Sequence, residues 1–173
     1  MNWVTSKIGM SDSALQLPLE GERIELSKGS IAWWPCHIGS GAEIGDNCSI
    51  GALSHVGREV VIGSNCRLQG GCYIADATII GNNVFIGPNA SILNDRYPPS
   101  GGKQFWQPVA ISDGVVIGGG ATVVAGVRIG EKSVLAAGAT ATTDIPANEV
   151  WGGVPAKYLM SRKEYDARRD RDG

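Results

Sequence analysis

No stretch of this 173-residue chain approaches the roughly 18 apolar residues of a membrane-spanning helix, and Met1–Met10 lacks the apolar heart of a secretory signal. An excess of either charge is missing too: 15 lysines and arginines stand against 17 aspartates and glutamates, a formal net charge of −2. A nucleic-acid binder that works by neutralising phosphates is therefore not expected. Histidine is scarce. Two histidines cannot complete a three-histidine zinc centre, and the four cysteines form no Cys-x-x-Cys pair, so no metal site is expected. The expectation is one cytoplasmic domain that works without metal, membrane or nucleic acid, long enough to bury its own core.

Glycine is what the chain has in quantity, 25 residues, and a six-residue period explains why. Ile38, Ile44, Ile50, Val56, Ile62, Leu68, Ile74, Ile80, Ile86 and Ile92 are aliphatic at every sixth position. Two residues before each stands a smaller side chain, from Cys36 and Ala42 to Val84 and Ala90. Hexads sustained over this length are the mark of a parallel β-helix. Three hexads close a triangular coil, and successive coils stack about 4.8 Å apart. The aliphatic position fills the prism, and the glycine that often follows it (Gly39, Gly45, Gly51) relaxes the backbone at the corner. All four cysteines occupy the small inward position and are read as core filler.

The pattern resumes, displaced by one residue, at Val109/Ile111 and runs to Ala139/Ala141. Ile92 to Ile111 spans 19 residues where one hexad takes six. The surplus is carried by segment 94–107, whose adjacent prolines and glycines forbid a regular strand. A loop of this length projecting from a solenoid is usually functional. The expected organisation is an N-terminal cap over 1–23, coils over 24–141 with the loop 94–107, and a C-terminal extension over 142–173. Within that extension Gly152-Gly153-Val154-Pro155 is expected to open a polar helix with Tyr158, Leu159 and Tyr165 as its apolar stripe. Such caps cover the unpaired edge of a terminal coil.

Over residues 24–160 the chain resembles the left-handed β-helix (hexapeptide-repeat) acyltransferases. The left hand comes from the resemblance, since parallel crossovers are otherwise almost always right-handed. Asp144-Ile145-Pro146 and Gly152-Gly153-Val154-Pro155-Ala156-Lys157 are similar to that family's closing motif. Asn83-Val84-Phe85-Ile86-Gly87-Pro88-Asn89, followed by Asn94-Asp95-Arg96-Tyr97-Pro98, resembles the N-acetyltransferases of nucleotide-linked 3-amino sugars. The fold so implied is all-β, a left-handed parallel β-helix with one projecting loop and a short C-terminal helix. The function implied is acetyl transfer from acetyl-CoA to the amine of a nucleotide-linked amino sugar, by a homotrimer whose sites form between subunits.

Chemistry bears on that implication. A hydroxyl acceptor normally needs a general base, most often histidine, and neither His37 nor His55 lies in the loop. A sugar amine, less basic than lysine, keeps some neutral nucleophile at pH 7. The missing loop histidine favours an amine. By resemblance, Asn94 orients the acceptor amine or else caps the loop's first turn, and Asp95 helps draw a proton or else holds the loop. Arg96 and Lys103 are the cations for a nucleotide diphosphate, with Tyr97 beside them and His37 facing outward toward the sugar. Gly118, Gly119, Gly120, Ala136, Ala137 and Gly138 are implied to hold the pantetheine arm of coenzyme A through backbone groups, with Lys157, Lys132 or Arg162 at its phosphates. Two rival readings are an O-acetyltransferase that recruits His37 or His55 as base, and a non-catalytic β-helix used for assembly.

Overall fold

The inward aliphatic residue of each hexad has nowhere to go but the axis of the prism, and that burial organises the chain. In the computed structural model, which describes residues 21–172, Ile50, Val56, Ile74, Ile86, Ile92, Ile117 and Val123 are fully buried in one continuous core. Each hexad contributes a two-residue strand, and strands one coil apart pair in parallel to build three flat faces. The first face is a nine-stranded sheet running from Glu22–Glu25 and Ile31–Trp34 through Ser49–Ile50, Arg67–Leu68, Phe85–Ile86, Val116–Ile117 and Val134–Leu135 to Glu149–Gly152 and Lys157–Ser161. The second face has six strands, His37–Ile38, His55–Val56, Tyr73–Ile74, Ser91–Ile92, Thr122–Val123 and Thr140–Ala141. The third has five, from Glu43–Ile44 to Arg128–Ile129.

Because the register repeats once per coil, outward residues also stack. His37 pairs with His55 and His55 with Tyr73, so these three side chains stand in one column on the second face. At the edges the coils touch backbone to backbone. A methyl group on Gly51 would lie 2.3 Å from the Gly70 nitrogen, so the glycine there is demanded by the neighbouring coil. Cys48, Cys66 and Cys72 are buried and Cys36 is partly so, packed against the core, as filler should be. Burial pushes the Cys66 and Cys72 thiols up to about 11, which keeps them protonated and unreactive at neutral pH.

Both ends are closed by antiparallel hairpins. At the N-terminal end Glu22–Glu25 folds back on Ile31–Trp34, so parallel stacking begins at Ile31. At the other end Glu149–Gly152 pairs with Lys157–Ser161, and Tyr158 and Leu159 lie in a strand, not on the helix the sequence suggested. The helix, α1, starts only at Arg162 and runs to Asp172. Its start is set by a capping box: the Ser161 hydroxyl and N–H donate to the Glu164 carboxylate, and the Glu164 N–H donates back to the Ser161 hydroxyl. No helix among the described residues is long and apolar enough to cross a membrane.

Candidate active site

The loop leaves the tower at Asn94 and returns at Gln107, and its neck is closed by the Gln107 N–H donating to the Asn94 carbonyl at 2.7 Å. Gln107 then accepts from Gly126 in the next coil, so the coil path continues beneath the insertion. Asn94 sits in the edge column of Arg58 and Asp76, each 18 residues before the next. This neck folds Trp106 back beside the outward column of the second face. The result is a cavity of about 300 Å³ lined by His37, His55, Tyr73, Arg58, Asp76, Asn94 and Trp106.

The rings of His37, His55 and Tyr73 stack at centroid distances of 4.6 and 4.9 Å. Desolvation, then the neighbouring His37, lowers the His55 pKa below its usual 6.5, with Asp76 opposing. His55 is therefore a neutral imidazole at pH 7, able to accept a proton. An NMR titration should place the His55 midpoint below 6.5, and His37→Ala should move it upward by removing a like charge. A midpoint unchanged in His37→Ala would contradict the stacked pair. The sign for stability follows: the unfolded chain binds this proton first, so the contribution of His55 is present above pH 6.5 and fades as pH falls through the folded midpoint.

Asp76 is held from two sides. Its Oδ1 accepts the Arg58 N–H at 2.9 Å, and its Oδ2 meets Arg58 Nε at 2.8 Å and Nη2 at 2.6 Å. Desolvation works against its charge, but the Arg58 bonds, with Lys103 farther off, hold the carboxyl below its ordinary value. The Asn94 amide nitrogen donates to the Asp76 carbonyl at 3.4 Å, and its amide oxygen meets no donor among the described residues. A second hollow of about 150 Å³ adjoins the first across Arg58, Asp76 and Trp106, and Lys103 lines it with its ammonium 5.9 Å from the Trp106 ring centre.

The other loop residues are placed differently. The Asp95 carboxylate accepts the N–H groups of Tyr97 and Ser100, both at 3.1 Å. Against a desolvation cost, those bonds hold its pKa below the ordinary value, as suits a residue shaping the loop. Arg96 reaches under the loop, donating to the carbonyls of Ala125 and Thr142 at 2.9 and 3.3 Å, so its guanidinium is committed to the scaffold. Tyr97 is 78% exposed. His37, Asn94 and Lys103 are thus brought together, while Asp95 and Arg96 serve the loop. Arg58, Tyr73, Asp76 and Trp106 join them. The 18-residue spacing of 37, 55 and 73, and of 58, 76 and 94, was the signal in the sequence that could have found the first three.

The glycine-rich segments lie on the edge between the first and second faces. On the edge beyond the third face, the turn N–H groups of Asp46, Ser64 and Asn82 are capped by the Ser64, Asn82 and Asp113 side chains of the next coil. On the glycine-rich edge the equivalent residues are Ala52, Gly70, Pro88, Gly119 and Ala137, none with an acceptor side chain. The N–H groups of Gly119 and Ala137 therefore have no acceptor among the described residues. Those of Ala136 and Gly138 are committed to the carbonyls of Trp151 and Gly119. A Cβ on Gly118 would lie 2.3 Å from the Ala137 nitrogen, whereas one on Gly120 or Gly138 would meet nothing within 4 Å. Gly118 is a packing residue; Gly120 and Gly138 face open space. The turn preceding Lys157 hydrogen-bonds Thr140 at the end of the second face. Lys132 and Arg162 instead meet at a different edge, beside a cleft of about 620 Å³ that also holds Asp166 and Asp170.

The bacterial transferase hexapeptide model matches residues 41–76 and 59–94, and the hexapeptide repeat of succinyl-transferase matches 108–142, together just over half of the chain. The chain belongs to the hexapeptide-repeat transferases, whose β-helix is left-handed. It is 40% identical over 89 residues to YJL218W of Saccharomyces cerevisiae, a protein assigned as an acetyltransferase, covering 49% of this chain and 45% of the yeast protein. It is 40% identical over 81 residues to the 2,3,4,5-tetrahydropyridine-2,6-dicarboxylate N-acetyltransferase of Staphylococcus aureus strain JH9, covering 47% and 32%. The chain thus spans less than half the length of these curated relatives. Among solved structures, the hexapeptide-repeat acetyltransferase VCA0836 of Vibrio cholerae superposes with a TM-score of 0.55 at 27% identity, covering 72% and 73% of the two chains.

Proposed function

We propose that this protein is an acetyl-CoA-dependent N-acetyltransferase acting on the amine of a nucleotide-linked amino sugar, and that it works as a homotrimer. The observation that carries the reading is the free amide oxygen of Asn94 at the loop neck, facing a cavity with a neutral histidine and a hollow lined by Lys103, Arg58 and Trp106. The Asn94 oxygen would accept an N–H of the amine and aim its lone pair at the thioester carbonyl. The C–N bond forms, the C–S bond breaks, and the amine's surplus proton leaves on the departing thiolate. The unpaired Ala137 N–H, or that of Gly119, suits the developing oxyanion or the pantetheine amides. Lys103 and Trp106 suit a diphosphate and a base.

The cavity and the glycine-rich edge flank opposite sides of the second face. A thioester on that edge is better placed to reach the cavity of an adjoining copy than that of its own subunit, which supports a trimer with shared sites. Light scattering should give three copies per particle. The substrate test is coenzyme A release from acetyl-CoA with UDP- and dTDP-linked 3-amino sugars beside their hydroxyl counterparts. Turnover of hydroxyl sugars alone would overturn the amine assignment. A second reading, O-acetyl transfer, is favoured by the neutral His55 in the same cavity, and that outcome would establish it. For the coenzyme, Gly138→Ala should cost about 1 kcal/mol of stability for a left-handed alanine and leave the fold intact. The same change should raise the KM for acetyl-CoA about tenfold by obstructing close approach, the size of a modest steric loss. An unaltered KM would count against this edge as the coenzyme site.

A further inference from the structure

A cleft of about 370 Å³ opens on the first face, near the N-terminal hairpin and on a different face from the histidine column. Among the described residues its lining includes the arginines Arg23 and Arg67 and no carboxylate. The other three clefts described above each hold at least one acidic residue that offsets their cations. Ser49 and Arg67 are register neighbours, so hydroxyl and guanidinium stand one coil apart on the outward side, above buried Ile50 and Leu68. Arg67 has no hydrogen-bond or ion-pair partner for its side chain among the described residues, and Asn47, Ser49 and Gln69 beside it are likewise unengaged through theirs. Arg23 spends one N–H on Glu25 and keeps the rest.

We propose that this cleft is an anion site for a phosphate ester or diphosphate, held by Arg67 and Arg23 with the Ser49 hydroxyl and the Asn47 and Gln69 amides as further donors. A guanidinium fork matches phosphate oxygens in pairs, and that of Arg67 meets no competing carboxylate among the described residues, while Arg23 shares its own with Glu25. The inference is independent of the acceptor assignment, because it concerns another face and is read by binding alone.

Calorimetry of the full chain with inorganic pyrophosphate tests it. In a Lys103→Ala background, which removes the cation proposed for the nucleotide diphosphate, saturable binding at one site per chain is expected, weakening as salt rises. Arg67→Ala should weaken it about tenfold and Arg67→Glu should remove it, the loss of one bidentate charge-assisted contact and then its reversal. Arg128→Ala, which removes an outward arginine of the third face, should leave binding unchanged. No saturable heat at millimolar pyrophosphate, wild-type binding in Arg67→Glu, or an equal loss in Arg128→Ala would each overturn the site. If the natural occupant is the 3′-phosphate of coenzyme A, Arg67→Ala weakens coenzyme A binding and spares dephospho-coenzyme A. If it is a separate phosphorylated compound, neither coenzyme form is affected. Arg67 stands on the outward side of its strand, so both variants should melt as the parent does, which separates lost binding from lost fold.

Discussion

Replacing Asn94 by alanine should lower kcat about 100-fold or more while changing the KM for acetyl-CoA little, the pattern left by removing a contact used at the reacting atoms. The expectation rests on the proposed acceptor role. Asn94 has its nitrogen on the Asp76 carbonyl and no donor to its oxygen among the described residues, so truncation removes an oriented acceptor without opening the loop neck, which is closed through backbone atoms. Asn94→Asp should recover part of the rate, since it keeps an oxygen but loses the bond to Asp76. Coenzyme A release at saturating acetyl-CoA measures both. His37→Ala and His55→Ala should each slow the reaction without abolishing it. Complete loss in either, with trimer and fold intact, would identify a conventional general base and move the protein to hydroxyl acceptors. Wild-type turnover in Asn94→Ala would remove the proposed mechanism altogether.

Gly51→Ala should be the most damaging small substitution to the tower outside the proposed sites, costing about 3 kcal/mol, the upper range for forcing atoms into a packed interior. A Cβ at Gly51 would lie 2.3 Å from the Gly70 nitrogen and 2.7 Å from the Gln69 carbonyl carbon. Both contacts are backbone, so no side chain can swing aside and the coils themselves must part. For a chain of this size the melting temperature should fall by roughly 6–12 °C. Gly101→Ala is the control: its Cβ meets nothing within 4 Å, although φ is +83°, so only the left-handed backbone is penalised, by about 1 kcal/mol. Equal melting temperatures for the two variants would mean that coil contact does not limit stability.

Much of the tower was legible in the chain because its constraint is local and repeated. An inward isoleucine every six residues leaves one way to bury them all, and Ile50, Ile74, Ile86 and Ile92 are indeed fully buried. The loop was legible as a break in that period, and its ends at Asn94 and Gln107 are where the backbone neck closes. The helix start was misplaced because Tyr158 and Leu159 show the same apolar spacing on a helix or a short strand, and the Ser161–Glu164 cap outranked periodicity. Arg96 was expected at a diphosphate and Asp95 either at a proton or holding the loop; the sequence does not reveal that the Ala125 and Thr142 carbonyls claim the first and the Tyr97 and Ser100 N–H groups the second.

The amino-acid order by itself determined the triangular coil, its core and the residues that share a column, since an 18-residue turn aligns His37, His55 and Tyr73 by arithmetic. Only the tertiary structure decided that the loop bends back so that Trp106 closes a cavity over that column, and that Arg58 secures Asp76 behind Asn94. The physical reason is range. Hexad burial is enforced anew at every coil and aligns 58, 76 and 94 by the same 18-residue turn, whereas the places of Trp106 and Arg96 depend on an irregular segment meeting coils with which it shares no register, for which the chain carries no repeated signal.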